Sequence, residues 1–254
     1  MKLRSILGCF IAASLVFATA PDMMAQKKSS SSRSPSTSSG LTKADVNGKD
    51  YVGYITLGTD MELFVRVSIS DNDLSVIMQR GTEVGGSWSV SGNTLTSSSS
   101  NGNFKLTLTS KDKGKILEGT CLINGQKKSV KLYQCPSVSW DKATLKSAIE
   151  KDNFIAFVNA IDRDGMGVGA PVTFKYTKDL DNSNTGTFKV SGNSKILTEL
   201  GALKGTLEFG DDSVKITGIN GNQDILDYSD IDGAVYLNLG RKSGTTVQVV
   251  LIKK

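Results

Sequence analysis

From about residue 44 onward, short runs rich in Val, Ile, Thr, Phe and Tyr alternate with clusters of Gly, Asn, Asp and Ser, and the whole 254-residue chain holds only four prolines. β-Branched and aromatic residues favour strands and the intervening residues favour reversals, so the pattern predicts an antiparallel β fold. Tyr51–Leu57, Glu62–Ser70, Leu74–Gln79, Gly86–Val90, Thr94–Ser97, Phe104–Ser110, Lys115–Ile123 and Gln126–Gln134 form the first series of strands. About eight strands joined by tight turns make a meander, the pattern of a small barrel or sandwich. Asn124-Gly125, between alternating runs, suits a type I′ turn, whose two central residues both need positive φ. Asp71-Asn72-Asp73, Ser91-Gly92-Asn93 and Asn220-Gly221-Asn222 mark similar reversals. Phe104, Leu106 and Leu108 alternate with Lys105, Thr107 and Thr109, which turns one face of that strand to a core and the other to water.

After Pro136 the period changes: Ser139 stands as an N-cap, and Leu145, Ala148 and Ile149 fall on one face of a short helix ending near Glu150. Strands resume at Phe154–Ile161, Val172–Tyr176, Thr185–Val190, Lys204–Phe209, Ser213–Ile219, Ala234–Leu239 and Thr246–Ile252. The expected fold is therefore all-β: two tandem antiparallel β units, small barrels or sandwiches, joined by one short α-helix. Residues 44–136 make the first β domain, and 137–254 the helix with the second. Gly86-Ser87-Trp88-Ser89-Val90-Ser91-Gly92-Asn93 echoes Gly186-Thr187-Phe188-Lys189-Val190-Ser191-Gly192-Asn193, and Ile123-Asn124-Gly125-Gln126 echoes Ile219-Asn220-Gly221-Asn222, which is compatible with a duplicated unit. Gly86-x-Trp88 has the form of the short lipocalin motif; that motif stands in a barrel's first strand, several strands precede this one, and it assigns no family.

Lys2 and Arg4 precede an uncharged, small and apolar run from Ile6 to Ala20, the form of a secretory signal peptide. The run is shorter than the roughly 20 residues of a spanning helix and meets Pro21 and Asp22. Residues 1–25 are expected to be a signal peptide cut after Ala25, in preference to the site after Ala18-Thr19-Ala20, which would leave Pro21 behind the cut. Ile6-Leu7-Gly8-Cys9 resembles a lipoprotein lipobox, but the apolar segment follows Cys9, which argues against lipidation. Residues 26–43, Ser-rich through Gly40, are expected to form a disordered tether, since they carry too little apolar surface to offset the entropy of ordering. The expected localisation is secreted, periplasmic or at the cell surface.

The formal charge of +5 lies mostly in residues 1–40: with five of 30 basic and one of 25 acidic residues set aside, 25 and 24 remain. A local basic stripe survives at Lys111, Lys113, Lys115, Lys127, Lys128 and Lys131. With almost no aromatic residue interleaved to stack on bases, it is a solvated strand face before a nucleic-acid site. Attraction to an anionic polysaccharide or lipid headgroup is compatible with it. A transmembrane barrel would need strands of about 9 to 11 residues with an apolar outer band, and many runs here are shorter with charged or Ser-rich faces.

The chain contains no histidine, which removes Ser-His-Asp and Cys-His arrangements, imidazole acid–base chemistry and His-ligated zinc. A carboxylate pair can still run glycoside hydrolysis, though no spacing of Asp and Glu nominates one. Cys121 and Cys135 are the thiols of the body; with Asn124-Gly125 as a two-residue turn, Cys121 faces Lys128 and Cys135 lies seven positions beyond, about 23 Å at roughly 3.3 Å per residue. A disulfide spans no more than about 7 Å between Cα atoms, so a bridge would need a bulge or long loop to break the hairpin, and Cys121, which shares a face with Leu117, Ile123, Val130 and Leu132, is expected to be a buried structural thiol. Asp179-Leu180-Asp181-Asn182-Ser183-Asn184-Thr185 resembles half a calcium loop but lacks its Gly and final Glu, and Asp162-Arg163-Asp164-Gly165 is shorter still, so both are expected to be turns. Trp88, Trp140, Tyr51, Tyr54 and Tyr228 could supply a sugar-stacking platform, but Trp88 alternates into the core with Val90, and Trp140 is placed in the seam between the units. No phosphate loop or dinucleotide fingerprint occurs, and no catalytic, metal or cofactor residue is nominated.

These features predict an exported, non-catalytic binding or interaction protein of the cell envelope, its partner a glycan, lipid or protein and not nucleic acid. The alternatives are a secreted, carboxylate-dependent hydrolase of glycosidase type and a structural envelope component assembling through edge strands, for which Thr245–Ile252 is the candidate edge.

Overall fold

The computed structural model describes residues 40–58, 62–78, 83–100, 102–137, 140–161, 167–210, 213–218, 223–225, 233–242 and 244–254. The protein is all-β, built from two antiparallel sheets that each curl into a nearly closed barrel. Barrel 1 contains β1 (Lys49–Thr56), β2 (Glu62–Ile69), β3 (Leu74–Ile77), β4 (Glu83–Gly86), β5 (Trp88–Ser91), β6 (Thr94–Ser98), β7 (Phe104–Lys111), β8 (Ile116–Ile123) and β9 (Gln126–Gln134). Their order is β4-β3-β2-β1-β9-β8-β7-β6-β5, so the first and last strands of the meander are neighbours. The two outermost strands, β4 and β5, are consecutive in the chain with only Ser87 between them. β4 pairs with β3 and β5 with β6. Where they meet, Ser98 donates its N–H to the Ser87 carbonyl at 3.4 Å and Ser97 its hydroxyl to the Gly86 carbonyl at 3.3 Å. One bent strand, Glu83–Ser91, therefore all but closes the barrel.

Barrel 2 contains β10 (Phe154–Ile161), β11 (Gly167–Lys178), β12 (Thr185–Ser191), β13 (Leu203–Phe209), β14 (Val214–Thr217), β15 (Gln223–Ile225), β16 (Ala234–Lys242) and β17 (Thr245–Lys253). Its order, β15-β14-β13-β12-β11-β10-β17-β16, again sets first strand beside last. Gly218, just past β14, lies against the backbone of Leu239 in β16 and brings the two ends of the sheet together. The proposed assembly edge is corrected by this order: β17 is paired with β10 on one side and β16 on the other, so Thr245–Ile252 has no free edge. The first sequence echo falls on non-equivalent strands: its Trp88–Ser91 is the fifth strand of barrel 1 and its counterpart lies on the third of barrel 2, although the two barrels share one strand plan, and residues 219–222 of the second echo lie outside the described residues.

Three helices, not one, accompany the barrels among the described residues: α1 (Lys43–Val46), α2 (Lys142–Glu150) and α3 (Lys195–Leu200). At α1, Leu41 and Val46 join the barrel 1 core, and the Lys43 ammonium lies 5.4 Å from the centre of the Trp88 ring. Trp88 is buried as expected, its indole N–H donating to the Ser70 carbonyl at 2.6 Å. α2 is capped by Asp141, whose carboxylate accepts from the Thr144 N–H at 2.6 Å; Ser139 lies outside the described residues. The buried face of α2, Leu145, Ala148 and Ile149, belongs to the barrel 2 core, while Lys142 donates to the Gly210 carbonyl at 2.5 Å. Trp140 packs in that same core, not in the seam. α3 contributes Ile196, Leu197 and Leu200 to the core from within what read as a loop. No described helix is long and apolar enough to cross a membrane.

Strand alternation fills both interiors. In barrel 1, Leu95, Leu106, Leu108, Leu117 and Leu132 are fully buried. A third apolar cluster joins the barrels through outward-facing residues: Val52 and Phe64 from β1 and β2, Cys135 after β9, and Phe157, Val250 and Ile252 from β10 and β17. Gly169 of β11 allows the close approach, because a β-carbon there would stand 2.7 Å from the Phe64 Cβ.

Candidate ligand-binding surface

With the apolar residues of β5–β9 turned inward, the register lines up the outward ones in rows across the sheet. One row runs Glu62, Thr56, Ser129, Thr120, Thr107, Thr96, Ser89 over seven adjacent strands. Six of the seven carry a β-hydroxyl. At the end of the row Ser89 and Thr96 hydroxyls are 3.0 Å apart. The next row runs Phe64, Tyr54, Lys131, Glu118, Thr109, Thr94, Ser91. Together they form a polar wall that starts beside β5 and ends where barrel 2 abuts β2.

The charges on this wall are mostly satisfied within it. Glu118 accepts from Lys111 and, at 2.8 Å, from Lys131; the hydrogen bond from Lys111, then that from Lys131, holds its carboxyl below the usual carboxylate range. Lys131 is raised in turn, chiefly by its bond to Glu118, and its ammonium lies 5.4 Å from the centre of the Tyr133 ring. The basic stripe divides accordingly. Lys111 and Lys131 share Glu118, Lys115 pairs with Asp112 at 3.4 Å, and Lys128 turns inward at the barrel mouth and donates to the Leu57 carbonyl at 3.0 Å. Lys113 and Lys127 stay exposed, and Lys105 joins Lys127 on the flank of the hydroxyl row.

Glu62 differs from Glu118: burial alone pushes its carboxyl up, and it has no hydrogen bond or ion pair among the described residues. Tyr54 is also raised, first by burial and then by neighbouring Tyr133 and Glu62. Carboxylates shifted in opposite directions are the pattern of an acid–base pair. Here the geometry refuses it. Glu62 and Glu118 stand on β2 and β8, three strand spacings apart, or about 14 Å at roughly 4.8 Å each, and outward side chains diverge on a convex wall. Glycoside hydrolysis needs carboxyl groups about 5 to 9.5 Å apart.

The other expected residues are dispersed. Tyr51 and Trp88 lie inside barrel 1, Trp140 inside barrel 2 and Tyr54 half-buried at the seam, so they form no common platform, and Tyr228 lies outside the described residues. Cys121 and Cys135 are free and buried in separate clusters, with Cys121 opposite Lys128 as the turn predicted. The Asp179–Thr185 loop uses its side-chain oxygens for turns: Asp179 accepts from the Asp181 N–H at 2.9 Å and Asn182 from the Asn184 N–H at 3.0 Å, while Asn184 accepts from Lys146 at 2.8 Å. Asp162–Gly165 lies outside the described residues. The hydroxyl rows were hidden in the sequence, since Thr and Ser at alternate strand positions are ordinary; only the register aligns them.

No protein-family model matches the chain, and no curated protein matches it. Among solved structures, the Burkholderia oklahomensis agglutinin aligns with 81% of this chain and 85% of its own at 11% identity and a TM-score of 0.17, a likeness too slight to carry an argument.

Proposed function

We propose that the protein is an exported, non-catalytic binding module of the cell envelope that takes a polyhydroxylated ligand, a glycan, along the outer wall of barrel 1. The observation that carries this reading is the continuous row of six hydroxyl residues ending in a half-buried carboxylate. A hydroxyl both donates and accepts, so such a row can exchange hydrogen bonds with a chain of sugar hydroxyls at many points, each modest and together directional. Lys105 and Lys127 on its flank favour a polymer that also carries negative charge. The signal-peptide-like leader and the histidine-free composition agree with an exported protein that binds without reacting.

The test is retention of the mature protein on envelope fractions and on a panel of neutral and acidic glycans. Thr107→Val with Thr120→Val keeps strand-compatible shapes but removes two central hydroxyls. At roughly 0.5–1.5 kcal/mol for each lost hydrogen bond, the double variant should bind about tenfold more weakly while melting as the parent does. Indifference of the parent to every fraction and glycan, or equal binding by the variant, would overturn the reading.

A further inference from the structure

The outer wall of barrel 2 carries a row of charge that the fold leaves uncompensated. On β11, β12 and β13 the buried Phe174, Val190 and Leu203 turn inward, which sets Lys175, Lys189 and Lys204 outward, and all three are exposed. The register places them directly abreast: Lys175 stands opposite Lys189, and Lys189 opposite Lys204. At roughly 4.8 Å between strands, the three stems rise from about 10 Å of wall.

Among the described residues no ion pair engages these ammonium groups. The wall of barrel 1 differs, since there Lys111 and Lys131 share Glu118. The outward carboxylate of β13, Glu208, lies two rows from Lys204 and stands opposite Lys215 instead. Like charges directly opposite one another on a sheet are destabilising, so the row carries a cost that a bound anion would relieve.

The adjoining row is Thr177, Thr187, Thr206 and Thr217, again in direct register across β11, β12, β13 and β14. Cations beside hydroxyls suit a polymer whose units carry both anionic groups and hydroxyls. The rings of these strands, Phe174, Tyr176, Phe188 and Phe209, lie in the core or pack against it, which leaves the two rows nothing to stack on a base. Neither row projects an apolar side chain to enter a bilayer. Barrel 1 does not cover them: Gly169, where β11 abuts Phe64, is six residues from Lys175, about 20 Å at roughly 3.3 Å per residue. We propose that this wall of barrel 2 binds an acidic glycan, its anionic groups on the lysine row and its hydroxyls on the threonine row. The residues are separate from those of the barrel 1 wall, so either reading can fail alone.

The experiment is a calorimetric titration of the mature protein with polygalacturonate and dextran sulfate, each beside its uncharged counterpart, methyl-esterified polygalacturonate or dextran. Single-stranded DNA and anionic phospholipid vesicles are titrated at equal charge. All are measured in the Thr107→Val, Thr120→Val background as well as in the parent, so that binding which persists there belongs to barrel 2. In both proteins an acidic polymer should bind at least tenfold more tightly than its uncharged counterpart, and more weakly as salt rises. Replacing Lys175, Lys189 and Lys204 together by Gln in that background should weaken binding about tenfold, the range for three exposed ion pairs. Because the change relieves mutual repulsion, the triple replacement should melt no lower than its background at low salt. No binding of either acidic polymer, equal affinity for charged and uncharged forms, or undiminished binding after the triple replacement would overturn the proposal. Tighter binding of DNA or vesicles than of the acidic glycans, or a lowered melting temperature in the lysine variant, would overturn it as well.

Discussion

At the scale of single residues, burial decides what the side chains can do. Burial is the main reason that the thiols of Cys121 and Cys135 are pushed up to about 11 and about 12. Because the thiolate is the reacting form, alkylation of the native protein at pH 8 should run roughly 100-fold slower than that of the unfolded chain, which mass spectrometry of quenched samples would measure. Both groups titrate higher in the folded state than their ordinary value of 9.0, so their contribution to stability is complete below that pH and is lost as pH rises towards 11 and 12. Denaturant midpoints should accordingly fall between pH 8.5 and pH 11, on an order-of-magnitude reading of that window. Gly169 marks the opposite constraint, since a β-carbon would meet the Phe64 Cβ at 2.7 Å and the Val158 carbonyl at 2.8 Å. Gly169→Ala should cost about 1–3 kcal/mol in chemical denaturation, the range for overpacking. The burial of Cys121 was legible from alternation, and its separation from Cys135 from turn geometry. The burial of Asn159 was not, because an outward strand position reads as solvated until the rest of the fold is laid over it.

At the scale of elements, local chemistry carried most of the reading. Asn124 and Gly125 both have positive φ, 47° and 79°, as a type I′ turn demands, and that turn fixes Ile123 opposite Gln126 and Cys121 opposite Lys128. β11 starts at Gly167, earlier than expected, because Gly167 and Gly169 depress strand propensity while their lack of side chains is what the seam uses. α3 is six residues long, too short for its apolar period to stand out, and it owes its helix to burial of Ile196, Leu197 and Leu200. In α2 the cap has moved two residues from the expected Ser139 to Asp141, where Asp is equally suited. Asp141→Ala should lower stability by about 1 kcal/mol, read as a shift in the thermal midpoint. The same substitution should leave glycan retention untouched, since α2 lies on barrel 2.

At the scale of the whole molecule, two barrels share one apolar seam, and Phe157 is fully buried at its centre against Phe64 and Tyr133. Phe157→Ala should cost about 3–5 kcal/mol and broaden or split the unfolding transition, as each barrel loses the partner that its outer face is built to meet. Differential scanning calorimetry would show it; a single sharp transition at the parent temperature would contradict the role given to the seam. Two units joined by a helix could be read from the sequence, because alternation and turns repeat along the chain. How they pack could not, since the residues of the seam are scattered from Val52 to Ile252 and each looks like the outer face of its own strand.

The pairing of first strand with last in each barrel also orders events in time. Barrel 1 can close once the chain has emerged as far as Gln134, since β1 then finds β9. Barrel 2 has to wait for the pairing of Phe154 with Lys253, a partner nearly a hundred residues downstream by the order of magnitude that slows folding through loop closure. A chain halted before Thr245 would hold β10 and β16 with unpaired backbone on their facing sides, and such open edges recruit other chains. Incomplete synthesis or proteolytic trimming of β17 therefore turns a closed, self-contained barrel into a template for aggregation, while leaving barrel 1 able to complete its own ring.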